Sequence, residues 1–153
     1  MTKQIPLTQG KFALVDDEDY DFLIQWKWYY KTEGYAARNE RTNKGRKTVR
    51  MHRVIMNTPH GMETDHADGN RLNNLKSNLR ICTKSENQRN QTPKKHKHKG
   101  AFFDKHDGKW SAHIRINGKP KRIGRFSSEV DAARAYNKAA VEIYGEFAKL
   151  NQF

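Results

Sequence analysis

Residues 93–99, PKKHKHK, hold four lysines and two histidines and no side chain that a hydrophobic core could use. A run of this kind stays in water, so the chain on either side must bury its own apolar residues. Only 35% of the 153 residues are hydrophobic. Small domains bury a smaller share of their surface than large ones. Two thin cores therefore fit the sequence better than one thick core.

The charge is divided as unevenly as the apolar residues. Lysine and arginine number 30 against 17 acids, a formal net charge of +13, which points to a polyanionic partner. Residues 1–92 carry 16 basic and 11 acidic residues, whereas 93–126 carry 11 and 2. The linker itself reads as a solvated tether that also touches phosphate. Membrane and secretory classes are not indicated: no run of about 18 apolar residues occurs, and the opening MTKQIPLTQGKF lacks the apolar stretch of a signal peptide. The single cysteine, Cys82, excludes an internal disulfide and a four-cysteine zinc site. A reducing cytoplasm is the expected setting.

Residues 1–15 read as one or two short strands turned at Gly10–Lys11. Asp16 is placed to cap a helix whose first turn holds Asp17, Glu18 and Asp19. Such acids could bind a metal, but starting a helix is their commoner use. Residues 26–31 and 34–39 alternate aromatic and polar side chains about Gly34, as a hairpin does. Residues 46–51 read as a further strand, and HRVIMN as a short helix before Pro59.

Residues 62–92 are dense in Asn, Asp and Gly, and their apolar content is mostly three leucines and an isoleucine. Asp65 and His66 adjoin. Asn78 precedes a strand in SNLRICT, and Thr83-x-x-Glu86 is a capping box that opens a helix bearing Asn87 in its first turn. Phosphodiester hydrolysis needs a base for water, a cation against the phosphate and leaving oxygen, and groups that fix both. A neutral histidine is available near pH 7, so His66 suits the base. Asp65 and Asn87 offer oxygen donors for a hard cation, Mg²⁺ or Mn²⁺. Neighbours in a strand point to opposite sides, which sets the cation and the base on different sides and requires the helix to bring Asn87 beside Asp65.

The text MHRVIM followed by TDHADGNRLNNLKSNLRICTKSENQRN resembles the HNH homing endonucleases of phages and mobile introns, with the DH, DGN-x-x-NN, NLR and EN elements in order. The resemblance implies a ββα-metal fold, His66 as general base, Asn78 as the residue that holds the loop and orients His66, and Asp65 and Asn87 as metal ligands. Together His66, Asn78, Asp65 and Asn87 form the expected catalytic set. No structural zinc is expected, since the cysteine pairs of some HNH proteins are missing. His52 and Arg53 fit the family's upstream HR element. For His52, packing or a structural hydrogen bond is the plainer reading. Arg53 and Arg71 are candidates for phosphate contact, with a solvated surface as the alternative. Asn70, Asn73 and Asn74 read as turn residues.

From Gly100 the pattern becomes three short strands and a helix. Trp110, Ala112, Ile114 and Ile116 alternate with Ser111, His113 and Arg115, Asn117–Gly118 is a hairpin turn, and KRIGRF continues as a strand. Ser127 or Ser128 opens a helix that places Val130, Ala133, Tyr136 or Asn137, Ala140 and Tyr144 at helical spacing and ends at Gly145. A sheet with a basic outer face can enter the major groove. HKGAFF, GKWSAHIR, RIGRFSSEVDAARAYNKAA and YGEFAKLN resemble the AP2 domain, which implies DNA contact from the strands. The candidates are Lys99, His113, Arg115, Lys121, Arg122 and Arg125. Phe102, Phe103, Asp104 and Arg122 depart from the AP2 pattern, so base preference does not transfer.

The expected architecture is α+β. Residues 1–92 form an HNH nuclease domain with a β-rich N-terminal extension and a ββα-metal core over about 62–92. Residues 93–97 form a basic linker, and 98–153 an AP2-like three-stranded antiparallel sheet packed on one helix. The expected function is metal-dependent, homing-type cleavage of double-stranded DNA by a monomer or homodimer, phage- or mobile-element-encoded. The alternative is a non-catalytic DNA-binding regulator with a vestigial HNH fold.

Overall fold

The computed structural model describes residues 1–93 and 97–153. The linker expected over 93–97 falls mainly on 94–96, outside the described residues, as does His96. The chain is α+β, built from small antiparallel sheets and few helices. It divides into two compact units, Met1–Asn87 and Gln88–Phe153. No helix among the described residues is long and apolar enough to cross a membrane.

In the first unit, β1 (Thr2–Pro6) pairs antiparallel with β2 (Phe12–Asp16), and α1 (Asp17–Leu23) follows directly. Asp16 stands at the helix N-cap but makes no side-chain cap bond. Its Oδ2 instead accepts the backbone N–H of Lys76 at 2.7 Å, because a loop donor 60 residues away reaches it. The acids of α1 are used in the same way: Lys76 pairs with Glu18 at 2.6 Å and Asp19 at 3.0 Å, and Lys3 with Asp17 at 2.6 Å. The expected hairpin about Gly34 has a short first arm, β3 (Tyr29–Tyr30), against a longer β4 (Ala36–Thr42). β5 (Gly45–Arg50) pairs on the other side of β4 and leads into α2 (Met51–Ile55). Ile5, Leu7, Ala13, Val15, Leu23, Trp28, Ala36 and Met51 close one core between these elements.

β6 (Glu63–His66) and β7 (Leu79–Cys82) form a two-stranded antiparallel sheet, and α3 (Lys84–Asn90) follows. The capping box is made in both directions: Thr83 N donates to Glu86 Oε2 at 2.8 Å, and Glu86 N to Thr83 Oγ1 at 3.3 Å.

In the second unit, β8 (Ala101–Asp104), β9 (Lys109–Ile116) and β10 (Lys119–Phe126) lie in the order β10-β9-β8, and α4 (Glu129–Tyr144) packs on them. Ser128 caps α4, accepting Asp131 N–H at 3.1 Å, and Gly145 ends it. Ala112 and Ile114 turn inward as their alternation requires. The buried helix face is the expected one at Ala133, Tyr136, Ala140 and Tyr144, and differs at its start. Ala132, Ala133, Tyr136, Ala140 and Tyr144 are buried and Val130 is exposed, because alanines let α4 approach the sheet more closely than valine would. Gly100 has φ +77°, and a Cβ there would overlap the Tyr136 ring.

Candidate active site

β6 and β7 sort the site into two faces. Residues directly opposite in an antiparallel pair share a face, and the register sets Glu63 against Cys82 and Asp65 against Arg80. Those four lie on one face. Thr64 and Ile81, with His66 and Leu79, lie on the other. Asp65 and His66 are therefore on different sides, as strand alternation requires. α3 brings Asn87 to the acidic face, where its Nδ2 donates to the Glu63 carboxylate. Asp65 itself is ion-paired with Arg80. The buried Cys82 thiol is pushed up to about 11, first by burial and then by the charges of Asp65, Glu63 and Glu86. It is a protonated bystander to this cluster, not a nucleophile.

On the other face His66 is only 4% exposed. Burial is the main influence on its pKa and lowers it from the ordinary value, against opposing pulls from Asn74, Asp68 and Asp65. The ring is thus neutral at pH 7. Its Nε2 lies 3.3 Å from Asn74 Oδ1. The His52 ring meets it edge-on at 5.0 Å, and Tyr35 lies 6.0 Å from His66 and 5.0 Å from His52. His52 Nδ1 is buried without a hydrogen-bond partner among the described residues.

The loop between the strands is tied by asparagines. Asn78 Oδ1 accepts Asp68 N–H at 3.0 Å, while its Nδ2 donates to Asp68 Oδ1 at 3.0 Å and to Asn73 O at 2.8 Å. Asn70 and Asn73 serve the turn, accepting the N–H groups of Leu72 and Leu75. Asn74 does more than turn the chain. It is fully buried and reaches His66. Its position is set by β2, since Leu14 N donates to Leu72 O and Asn74 N to Leu14 O, both at 2.8 Å. The N-terminal strands are thus the scaffold of the loop that meets His66. Sequence reading missed this, because nothing local to residue 74 reports a strand 60 residues away.

Arg53 donates to Met62 O at 2.9 Å and Pro59 O at 3.5 Å, a structural use that turns it from the expected phosphate contact. Arg71 lies over the Tyr35 ring at 4.7 Å and donates to Glu33 O. Its charge is felt at His66.

In the second unit, Arg122 stands opposite His113, and Arg125 opposite Ser111. With Arg115, they form the outer face that the alternation of β9 predicts. A bulge between Arg122 and Gly124 leaves Ile123 exposed. Arg125 is ion-paired with Asp107. Two expected contacts are placed elsewhere. Lys121 stands opposite the buried Ile114, so it belongs to the helix-side face. Lys99 donates Nζ to Arg89 O and, at 2.6 Å, to Gln91 O, and burial lowers its ammonium to about 8. It serves carbonyls at the C-terminal end of α3 rather than an outside anion.

The model of the HNH endonuclease family matches residues 49–89, the stretch that holds Glu63, Asp65, His66, Asn74, Asn78, Arg80 and Asn87. An uncharacterized HNH endonuclease of Acanthamoeba polyphaga mimivirus is 31% identical over 150 residues, 94% of this chain and 76% of the relative. The chain belongs to the HNH endonuclease family. This HNH protein is also similar to an ethylene-responsive transcription factor of Arabidopsis thaliana, 35% identical over 92 residues and 57% of each chain. A putative dehydration-responsive element-binding protein of the same plant is 48% identical over 46 residues, 29% of each chain. These likenesses support an AP2-like region in the HNH protein. No solved structure matches it.

Glu63 is the site residue that sequence reading passed over. Its signal was present: it stands two residues before Asp65 in a strand, hence on the same face. What the pattern did not contain was the reach of Asn87 to it.

Proposed function

We propose that the chain is a divalent-cation-dependent endonuclease of homing type that hydrolyses phosphodiester bonds in double-stranded DNA. The observation that carries this is the two-sided β6–β7–α3 arrangement. A buried, neutral His66 lies on one side, and Asp65, Glu63 and Asn87 lie together on the other. This is the separation of base and cation that hydrolysis of a phosphodiester needs, and it supports a ββα-metal core.

The donor set fits a hard cation. Asp65 and Asn87 would hold Mg²⁺ or Mn²⁺ through oxygen, with Glu63 beside them. No three His, Cys, Asp or Glu side chains converge as a cage among the described residues. When bound, the cation supplies positive charge against the phosphate and the leaving oxygen. His66 takes the proton from the attacking water, its ring held at the Nε2 edge by Asn74. Asn78 keeps the intervening loop closed. Arg80 balances Asp65.

The AP2-like sheet of the second unit is the site-binding element, through His113, Arg115, Arg122 and Arg125. Arginine there can reach guanine or phosphate.

Supercoiled plasmid incubated with the protein and Mg²⁺ tests the reading. Nicking is expected, with loss on adding a chelator and in His66→Ala. Equal cutting by His66→Ala overturns it. DNA binding without cleavage by the wild type returns the alternative, a regulator with a vestigial HNH fold.

A further inference from the structure

The β4–β5 hairpin has two faces of different character. On one, Arg38 lies over the rings of Trp26 at 4.7 Å and Trp28 at 5.8 Å and pairs with Glu40 at 3.4 Å. Val49 on that face is half-buried, and Lys47 stands opposite Glu40. These side chains serve the fold. On the other face, the register sets Arg50 against Ala37, Thr48 against Asn39, and Arg46 against Arg41. Tyr29 donates its hydroxyl to Asn39 Oδ1 at 3.2 Å. That face holds three exposed arginines, an amide and two hydroxyls, and no acid.

None of these arginines has an ion pair among the described residues. Arg41 and Arg46 stand directly opposite one another, an arrangement that weakens a hairpin. Folding gives no reason for it; a bound anion does. The face is also continuous with the site. The Arg50 guanidinium lies 5.2 Å from the Tyr35 ring, which is 6.0 Å from His66. From Arg50 to Arg46 the strand covers roughly 14 Å. A duplex presents about eight phosphate charges over that length, and its major groove admits a two-stranded ribbon.

We propose that the arginine face of β4–β5 grips duplex DNA beside the scissile phosphate, with Arg50 nearest the cut and Arg41 and Arg46 further along the strand. The inference rests on reading the His66 site as a DNA nuclease. It assigns the nuclease unit a DNA contact of its own, separate from the basic sheet of the second unit.

The full chain carrying Arg41→Ala and Arg46→Ala together is compared with Lys47→Ala and Lys138→Ala, an equal loss of charge at an exposed site on the other face and one on α4. Duplex affinity is titrated against salt in chelator, and nicking is followed with Mg²⁺. For the arginine pair, the slope of log Kd against log salt should fall by about 2. KM should rise roughly tenfold, the 1.4 kcal/mol equivalent of one decade, with kcat unchanged. The lysine pair should leave both near wild type. Equal effects from the two pairs, no effect from the arginine pair, or a preference for single-stranded RNA over duplex DNA would overturn the proposal. A wild type that does not nick, while the arginine pair still loses salt slope, sinks the nuclease reading and leaves the binding face standing. A wild type that nicks through His66 with an unaltered arginine pair does the reverse.

Discussion

Asn74 Oδ1 lies 3.3 Å from His66 Nε2, and both side chains are buried. Removing one partner of such a buried pair forfeits this hydrogen bond and costs about 1–3 kcal/mol. Asn74→Ala is therefore expected to lower the urea midpoint and to reduce kcat more than KM. Asn74→Asp should restore part of the turnover, since a carboxylate oxygen can occupy the same place. Steady-state nicking of the three proteins checks this. Wild-type kcat in Asn74→Ala would refute an orienting role.

His52 makes the fold acid-labile. Burial, reinforced by the charges of His66, Arg50 and Arg53, holds its imidazole down to about 3 from an ordinary 6.5. Between those values the unfolded chain binds a proton that the folded one refuses. Stability is therefore full above about pH 6.5 and is lost as pH falls toward 3, by an amount on the order of a few kcal/mol. His66, also lowered, acts in the same direction. Denaturant midpoints measured from pH 7 to pH 4 should drop steeply for the wild type. His52→Phe should show a shallower fall, and a parallel curve would refute the assignment.

The capping box holds the start of the helix that carries Asn87. Thr83→Ala removes the acceptor for Glu86 N–H and should cost about 1 kcal/mol. Cation affinity should weaken with it, read by isothermal titration with Mn²⁺, while DNA binding in chelator stays unchanged. Thr83→Ser should behave as wild type.

Arg115 and Arg122 lie on the outer face of the C-terminal sheet. Each replaced by alanine should reduce the salt slope of duplex binding by about 1 and leave melting within about 0.5 kcal/mol. An unchanged slope in both would remove that face from the interface.

Gly100→Ala is expected to unfold the second unit. The residue combines a positive φ with a Cβ position inside the Tyr136 ring, a cost of at least about 3 kcal/mol. Far-UV circular dichroism on melting should lose one transition and keep the other.

Much of the site was legible because its chemistry is local. The Thr83–Glu86 box and the face alternation of Asp65 and His66 follow from spacings of a few residues, and the loop-holding role of Asn78 is what the resemblance implied. What escaped reading was set by distant partners. Asp16 looked like a helix cap and serves Lys76 instead. Lys99 looked like a phosphate contact and satisfies carbonyls left at the end of a helix. Asn74 looked like one turn residue among three, and a backbone bridge to Leu14 carries it to the histidine. In each case a polar side chain had two uses, and the choice between them depended on which remote group the fold sets beside it.

Position 100 also bears on descent. Directly upstream of it His98 is buried and pairs with Glu129, and Lys99 holds the carbonyls of Arg89 and Gln91, while at Gly100 itself a Cβ would overlap the Tyr136 ring. A genetic exchange that joins a different nuclease to this C-terminal unit therefore keeps its packing only where His98, Lys99 and Gly100 travel with that unit. The three residues thus belong to one inherited block, and a rearranged descendant should keep them together with the helix that holds Tyr136.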